Sequence, residues 1–463
     1  MSTRRLFERT AGYAADFVES LPTRPVAAQA EVEELRAALG GPLPDGARDA
    51  EQVLSELATA ADPGIVGIPS GRYFGFVIGG GVPAAVAADW LTSVWDQNAG
   101  LYVGGPAASV VEEVAAEWLR DLLALPEEIS TAFVTGCQMA HVTALAAARW
   151  HVLTEAGWDV GQDGLGGAPR IRVLASEQRH VTIGRALRLL GLGTAAIEVL
   201  PADDEGRMEV EPLREALADA NGPTIVCAQL GNVNTGAFDP LPEIADAAER
   251  AGAWLHVDGA FGMWAAASPE LRRLCAGVER ADSWATDAHK WLNVPYDSGL
   301  AFCAHPDSHR AAISVYADYL IHDDGDRRDQ MDWTPEFSRR ARGFPIYAAL
   351  RSLGRSGVAE LVEGCCAGAR RFAERLGAED GIEILNDVVL NQVLVRIVDG
   401  PTTDEVMRLV RESGEAWIAG TQWRGESAMR ISVSNWRTTA ADVDRAVEAI
   451  RQAASTAARS VAT

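Results

Sequence analysis

Lys290 is the only lysine in the chain, and the other 40 of the 41 basic residues are arginine. A guanidinium stays protonated above about pH 12, whereas a lysine amine can lose its proton and attack a carbonyl carbon. A lysine kept at one position therefore indicates chemistry that arginine cannot perform. The pattern predicts that Lys290 is a nucleophilic amine that forms a Schiff base. The alternative interpretation is an ordinary surface lysine.

Asp258 follows Trp254–Val257, a predicted buried strand that is apolar except for His256. A carboxylate at the end of such a strand is costly to bury unless it meets a cation. The protonated ring nitrogen of pyridoxal phosphate (PLP) is such a cation, and this ion pair would be worth on the order of 4 kcal/mol at about 4 Å. An aspartate that caps a helix is the alternative. Ala260 is small enough to let a flat ring lie against the backbone.

His180 follows another predicted strand and precedes a predicted helix. Its imidazole could stack on the open face of the cofactor ring and touch the substrate carboxylate, or it could be a solvated or helix-capping residue. The segment Thr135–Gln138 turns from a strand into a helix, and the unpaired N–H groups of a helix N-terminus bind phosphate. His289, next to the lysine, could add a contact to that phosphate.

The elements that must position these residues alternate between strand and helix from about residue 130 to residue 304. Buried strands that alternate with helices predict a parallel, doubly wound sheet, in which ligands bind at the carboxyl ends of the strands. The predicted strands are Ser130–Gly136, Ile171–Ser176, Thr224–Leu230, Ala253–Asp258, Ser283–Thr286 and Gly299–Ala304.

The pattern changes after Pro345, where a long predicted helix leads to further strands and helices. We therefore predict three segments: an N-terminal helical segment over 1–75, a large PLP-binding domain over 76–345, and a smaller C-terminal α+β domain over 346–463.

The composition limits the possible partners and the compartment. A net charge of −24 repels nucleic acid and anionic membranes. No apolar run approaches the roughly 20 residues of a transmembrane helix, and the N-terminus has no signal-peptide pattern. Six cysteines without a CxxC pair are typical of a reduced, cytoplasmic chain, and we predict no metal site.

In their order and spacing, His256–Ala260 and His289–Asp297 resemble group II PLP-dependent decarboxylases, which include the aromatic-L-amino-acid and glutamate decarboxylases. The resemblance runs from about Arg72 into the C-terminal domain. It implies an α/β fold of the aspartate-aminotransferase type (fold type I), with a mostly parallel sheet. It also implies a homodimer with shared active sites, which decarboxylates an L-amino acid to an amine and carbon dioxide.

The resemblance also implies roles for individual residues. Lys290 would bind PLP as a Schiff base, Asp258 would pair with the ring nitrogen, and Ala260 and His180 would flank the ring. The remaining cofactor contacts would come from Cys137, Gln138, Asn232, Asp287 and His289. Phe74, Phe76 and Tyr102 match substrate-pocket positions, with Tyr102 coming from the partner subunit.

Tyr319 matches a lid tyrosine that would protonate the α-carbon after carbon dioxide leaves; its neighbour Tyr316 is the alternative counterpart. Family members with phenylalanine at this position resemble aldehyde synthases, so a tyrosine favours amine formation.

The chain departs from the family in its phosphate turn, Thr135–His141, and in Asp287, where the animal enzymes often have asparagine. An anion beside a phosphate needs a compensating donor. The substrate therefore stays open, and Arg430 could bind a carboxylate or be an ordinary arginine at a strand end. Two other classes of function also stay open. One is another PLP reaction (oxidative decarboxylation to an aldehyde, aldol-type cleavage or transamination), and the other is a binding protein with an inactive site.

Overall fold

The computed structural model describes residues 2–218, 222–315, 327–398 and 400–461. Within these ranges the helices are α1 (Thr3–Ser20), α2 (Val32–Leu39), α3 (Ala50–Ala61), α4 (Pro83–Trp95), α5 (Pro106–Leu122), α6 (Cys137–Glu155), α7 (Val160–Asp163), α8 (Val181–Leu189), α9 (Val210–Ala218), α10 (Leu241–Ala251), α11 (Pro306–Ile313), α12 (Gly343–Gly377), α13 (Thr403–Ser413) and α14 (Ala440–Val461). Helix α12 is interrupted at Gly354, whose φ of +64° is not helical.

The strands form two sheets. They are β1 (Tyr73–Phe74), β2 (Ser130–Val134), β3 (Arg172–Ser176), β4 (Ile197–Leu200), β5 (Thr224–Gln229), β6 (Trp254–Asp258), β7 (Ser283–Asp287), β8 (Gly299–Cys303), β9 (Ile382–Ile384), β10 (Gln392–Ile397), β11 (Trp417–Trp423) and β12 (Glu426–Ser432). A seven-stranded sheet has the order β2-β8-β7-β6-β5-β3-β4, and a five-stranded sheet has the order β1-β11-β12-β10-β9.

The seven-stranded sheet is mostly parallel, as the strand–helix alternation predicts. Strands β4, β3, β5, β6 and β7 are parallel neighbours. The prediction is wrong for β8, which runs antiparallel to both β7 and β2. The connection from β7 to β8, residues 288–298, is shorter than the dozen or so residues that a parallel crossover needs. This short connection carries Lys290.

The strands at the centre of this sheet are buried along their whole length, which explains their nearly continuous apolar runs. The polar residues that interrupt these runs lie mainly at the strand ends. Asp258 is the last residue of β6 and Asp287 is the last residue of β7. Because β6 and β7 are parallel neighbours, both carboxylates lie at the same edge of the sheet.

The chain divides into two compact units. One comprises Met1–Gly80, Gly368–Leu385 and Val393–Thr463, and it holds almost all of the five-stranded sheet. The other comprises Gly81–Ala367 and Asn386–Gln392, and it holds the seven-stranded sheet. The division into segments 1–75, 76–345 and 346–463 stays a prediction about which parts of the chain fold independently. Among the described residues, no helix has both the length and the apolar composition that crossing a membrane requires.

Candidate active site

Lys290 lies three residues after the end of β7 and is ion-paired with the residue at that end. Its Nζ is 2.9 Å from Oδ2 of Asp287. Burial by itself would lower the pKa of the amine, but Asp287, together with Cys137 and Asp258, outweighs burial and raises this pKa to about 12. The amine is therefore protonated at neutral pH and must lose this proton before it can attack a carbonyl.

The second oxygen of Asp287 also receives hydrogen bonds. The backbone N–H of Cys137, at the start of α6, donates to Oδ1 over 2.5 Å, and Nε2 of His289 lies 3.2 Å from the same oxygen. Nδ1 of His289 accepts from the backbone N–H of Ser298 at 3.1 Å, so the ring hydrogen of neutral His289 is on Nε2 and points at Asp287. Asp287 is therefore an anion with hydrogen-bond donors of its own.

Asp258 is 4% exposed at the end of β6. Its Oδ1 accepts from the backbone N–H of Ala260 at 3.1 Å, and its Oδ2 is 3.5 Å from Nε2 of His141. Burial would raise the pKa of Asp258, but His141 in particular, and then His180 and Lys290, hold it well below its ordinary value. Asp258 is thus a buried anion that precedes a loop, and no helix begins at it as the capping alternative would require.

His180 immediately precedes α8 and is half-buried. Its Nδ1 is 2.7 Å from Oγ1 of Thr182, and its charge is among the influences that lower the pKa of Asp258. The structure therefore brings together Lys290, Asp258 and His180, together with Cys137, Ala260, Asp287 and His289.

Gln138 and Asn232 contact the backbone of neighbouring loops. Nε2 of Gln138 donates to the carbonyl oxygen of Thr182, while its Oε1 is buried without a hydrogen-bond partner among the described residues. Oδ1 of Asn232 accepts from the backbone N–H of Asn234 at 2.9 Å, which shapes the turn after β5. Their cofactor contacts stay a prediction.

The residues predicted to bind substrate lie in different parts of the chain. Phe74 is fully buried in β1, and its ring packs edge-on against Phe372. Phe76 is 51% exposed, with its ring 5.5 Å from that of Trp417. Both belong to the unit that holds the five-stranded sheet.

Tyr102 belongs to the unit that holds the seven-stranded sheet. Its backbone N–H donates to Asp329, and the guanidinium of Arg327 lies 5.0 Å from its ring. Arg430 is buried inside β12, opposite Ala419. Tyr319 and Tyr316 lie outside the described residues, so the roles of all these side chains stay predictions.

Sequence reasoning missed three residues at this site. His141 contacts Asp258, and its Nδ1 is 2.9 Å from Nε2 of His256. The ring of Tyr296 stacks on His289 with their centres 4.2 Å apart. Two signals were available: His256 interrupts an apolar strand, and His141 follows Cys137 by four residues, on the same face of α6.

The fold and the site together define a PLP-dependent enzyme of fold type I. The model for the pyridoxal-dependent decarboxylase conserved domain matches residues 33–398. Tryptophan decarboxylase 1 of Oryza sativa subsp. japonica is 28% identical, covering 93% of this chain and 90% of that protein. Phenylacetaldehyde synthase of Arabidopsis thaliana is 26% identical, covering 96% and 94%. The crystal structure of Oryza sativa TDC with PLP and tryptamine has a TM-score of 0.92, at 26% identity and 98% coverage of each chain.

The chain therefore belongs to the family of pyridoxal-dependent decarboxylases. The predicted family, fold type and cofactor are confirmed. The protein is a PLP-dependent carboxy-lyase that acts on an amino acid.

The chemistry of the donor set fits PLP. A primary amine, Lys290, is present for the aldehyde of the cofactor, and a buried carboxylate, Asp258, for its ring nitrogen. A Cβ on Gly136, at the start of α6, would lie 3.1 Å from the ring of His289, so a side chain there would press on His289. These residues would hold the aldehyde, ring and phosphate ends of the cofactor.

Proposed function

We propose that this enzyme decarboxylates an aromatic L-amino acid to the corresponding amine and carbon dioxide. The observation that carries the proposal is the pair of strand-end carboxylates, Asp258 and Asp287, with Lys290 ion-paired to one of them. The choice of an aromatic substrate is supported by the relatives, which include a tryptophan decarboxylase and a phenylacetaldehyde synthase.

Each residue has a distinct task in this proposal. PLP, when bound, withdraws electrons from the substrate α-carbon through its protonated ring. Asp258 keeps the ring nitrogen protonated, since a buried anion favours a cation beside it. Lys290 binds the cofactor through its amine, after the ammonium group that is paired with Asp287 has lost a proton. Ala260 and His180 flank the ring, and His180 orients the substrate carboxylate.

The phosphate group is bound in this proposal by the start of α6, where Cys137 and Gln138 lie, and by Asn232 and His289. Asp287 accepts the N–H of Cys137 and the Nε2–H of His289, so it competes with the phosphate for these two donors. It also carries a negative charge towards an anion. The net effect depends on the proton count of the phosphate, which changes near pH 6.

We also propose a cytoplasmic homodimer with shared active sites. Helix α4 carries several exposed apolar side chains. Their exposure to water is unfavourable, and a second copy of the chain could cover them. They are Trp90, Leu91, Val94 and Trp95. In this dimer Tyr102 of one subunit, together with Phe74 and Phe76, forms an aromatic wall for the substrate. The six cysteines are buried and free, as is typical of a reducing compartment.

A second candidate function is oxidative decarboxylation to an aldehyde, favoured by the relative that is a phenylacetaldehyde synthase. The choice between amine and aldehyde depends on how soon the α-carbon is protonated after carbon dioxide leaves. Tyr319 is the proposed proton donor.

A panel of L-amino acids tests these proposals when carbon dioxide, amine and aldehyde are measured in parallel. We expect equal amounts of carbon dioxide and amine from an aromatic substrate, and little aldehyde. Equal amounts of carbon dioxide and aldehyde would favour the second candidate. Turnover only of acidic or basic amino acids would contradict the aromatic substrate class. The Lys290→Arg variant is the control for reactions of free PLP.

A further inference from the structure

A line of buried side chains leads through the seven-stranded sheet to Asp258. Nε1 of Trp254 donates to Oγ of Ser283 at 2.9 Å, and this oxygen is 2.9 Å from Nδ1 of His256. Nε2 of His256 is 2.9 Å from Nδ1 of His141, whose Nε2 faces Asp258. All five residues are less than 5% exposed, so their hydrogen bonds are shielded from water.

The residues at the two ends of this line fix the direction in which its hydrogen bonds are donated. The indole N–H of Trp254 can only donate, and an ionised carboxylate can only accept. Oγ of Ser283 accepts from Trp254, and among the described residues the acceptor for its own hydrogen is Nδ1 of His256. His256 then carries its hydrogen on Nε2 and donates it to His141, which in turn has its hydrogen on Nε2.

Both imidazoles are neutral in this arrangement. Burial lowers the pKa of His256 to about 3, so His256 holds one proton at neutral pH. The opposite direction would leave the hydroxyl hydrogen of Ser283 without an acceptor among the described residues. It would also turn a nitrogen lone pair of neutral His141 towards the carboxylate of Asp258, which is repulsive.

Cys137 also contacts the last donor of the line. Nε2 of His141 is 3.3 Å from Sγ of Cys137 and 3.5 Å from Oδ2 of Asp258. Burial raises the pKa of the Cys137 thiol well above its ordinary value, so the sulfur keeps its hydrogen and is a weak acceptor. The Nε2 hydrogen of His141 is therefore shared between a weak acceptor and a strong one, and Asp258 gains most from it.

We propose that Trp254, Ser283, His256 and His141 form a one-way hydrogen-bond relay that positions the Asp258 carboxylate for the ring nitrogen of PLP. A neutral donor fixes the carboxylate without neutralising it, so that the ring nitrogen is the cation that balances Asp258. His141 and His256 are thus positioning residues that act through Asp258. The proposal rests on the proposed function only in its use of Asp258 as the partner of the ring nitrogen.

Three residues at the end of the relay also suggest a competing interpretation, which is a metal site. Cys137, His141 and Asp258 each bring one metal-ligating atom to within 4.8 Å of the others. A metal would need a bare Nε2 lone pair on His141, whereas the relay puts a hydrogen on that atom. Metal binding and the relay therefore exclude each other.

The direct test is nitrogen-15 NMR of the histidine-labelled holoenzyme, with His141→Asn and His256→Asn variants to assign the signals. We expect both rings to be neutral, with hydrogen on Nε2 and none on Nδ1. A hydrogen on Nδ1 of either ring, or a charged His141, would overturn the proposal. So would binding of one zinc ion per chain that His141→Asn abolishes.

A double-mutant cycle tests the action through Asp258, with PLP affinity measured by equilibrium dialysis. His141→Asn should weaken PLP binding by roughly tenfold to a hundredfold, the usual effect of a hydrogen bond to a charged group. In an Asp258→Asn background the same substitution should have little further effect. An undiminished effect in that background would contradict the relay.

His309→Asn is the matched control. His309 is also fully buried and hydrogen-bonded, to Ser130 and to the carbonyl oxygen of Trp333, without contact to Asp258. We expect this variant to keep the wild-type affinity for PLP. An equal loss of affinity in both variants would show that His141 is merely structural. Neither experiment needs a substrate, so both remain informative if no aromatic amino acid is decarboxylated.

Discussion

The two aspartates of this site, Asp258 and Asp287, have different roles because they contact different partners. Asp287 is ion-paired with Lys290 and accepts from Cys137 and His289, whereas Asp258 accepts from the backbone N–H of Ala260 and faces Nε2 of His141. A carboxylate that is ion-paired with a lysine raises the pKa of that lysine. A buried carboxylate without a cationic partner favours the binding of a cation. The neighbours of each carboxylate thus set its task.

Lys290 can be tested by chemical trapping. Borohydride should reduce the PLP-loaded enzyme and leave the cofactor covalently attached to the peptide that contains Lys290. Because no other lysine exists in the chain, Lys290→Ala and Lys290→Arg should abolish both the attachment and turnover while the fold is kept. Peptide mapping by mass spectrometry checks the site. Cofactor attached to any other residue would contradict the assignment.

The ion pair with Asp287 predicts a pH dependence of cofactor loading. At pH values below its pKa of about 12, the neutral fraction of the amine increases tenfold with each added pH unit. PLP should therefore load faster as the pH rises. Asp287→Asn removes the charge that raises the pKa, and loading at pH 7.5 should be roughly tenfold faster or more. Stopped-flow absorbance of PLP added to the PLP-free protein measures this rate.

Asp297→Asn is the control for this measurement, since Asp297 lies in the same connection but is paired with Arg342. Its loading rate should match that of the wild type. A slower rate for Asp287→Asn than for the wild type would show that the carboxylate serves mainly to orient the phosphate donors.

Tyr319→Phe should still release carbon dioxide but shift the product from amine towards aldehyde. The reason is that a late proton leaves the α-carbon open to attack by oxygen. Product analysis by chromatography, with peroxide assayed in parallel, checks the shift. Tyr316→Phe is the matched control, and a shift in that variant alone would assign the proton to Tyr316.

At the scale of elements, the site depends on a close approach between β8 and the turn that starts α6. Gly299, the first residue of β8, lies opposite both Asp287 and Val134 on the neighbouring strands. A Cβ at this position would overlap the backbone of Gly136. The absence of a side chain at Gly299 therefore keeps the start of α6 beside the end of β7.

Gly299→Ala should displace this turn, with a loss of stability of roughly 1–3 kcal/mol and weaker PLP binding. The cofactor content of the purified protein and urea unfolding measure the two effects. Gly364→Ala, in α12, is the control, because its Cβ would meet nothing within 4 Å and should stabilise the helix by up to about 1 kcal/mol. Normal PLP content in Gly299→Ala would show that the close approach is dispensable.

At the scale of the whole molecule, the exposed apolar face of α4 predicts dimerisation. Val94 on this face is 59% exposed. Val94→Arg would bury a charge at the proposed interface, so the variant should be monomeric at low micromolar concentration and lose turnover. Light scattering after gel filtration measures the mass. Leu189→Arg is the control, because Leu189 is 62% exposed on α8 and should tolerate the charge. A dimeric, active Val94→Arg variant would place the interface elsewhere.

The sequence by itself determined those features that depend on neighbours along the chain. These local features are the single lysine, the aspartate at the end of an apolar run and the glycine at a strand–helix turn. Together they predicted PLP and the strand edge at which the cofactor would bind, because parallel strands bring their carboxyl ends to one edge, while the resemblance to a known family implied the fold type.

The tertiary structure alone decided the contacts between residues far apart in the sequence. The N–H of Cys137 meets Asp287 across 150 residues, and His141 meets His256 across 115 residues. No local pattern encodes such pairs, since strand order and the packing of α6 on the sheet bring them together. The antiparallel direction of β8 also escaped prediction, although the short connection from β7 is a local signal for it. The sequence predicted the reacting groups, and packing supplied the partners that set their charge.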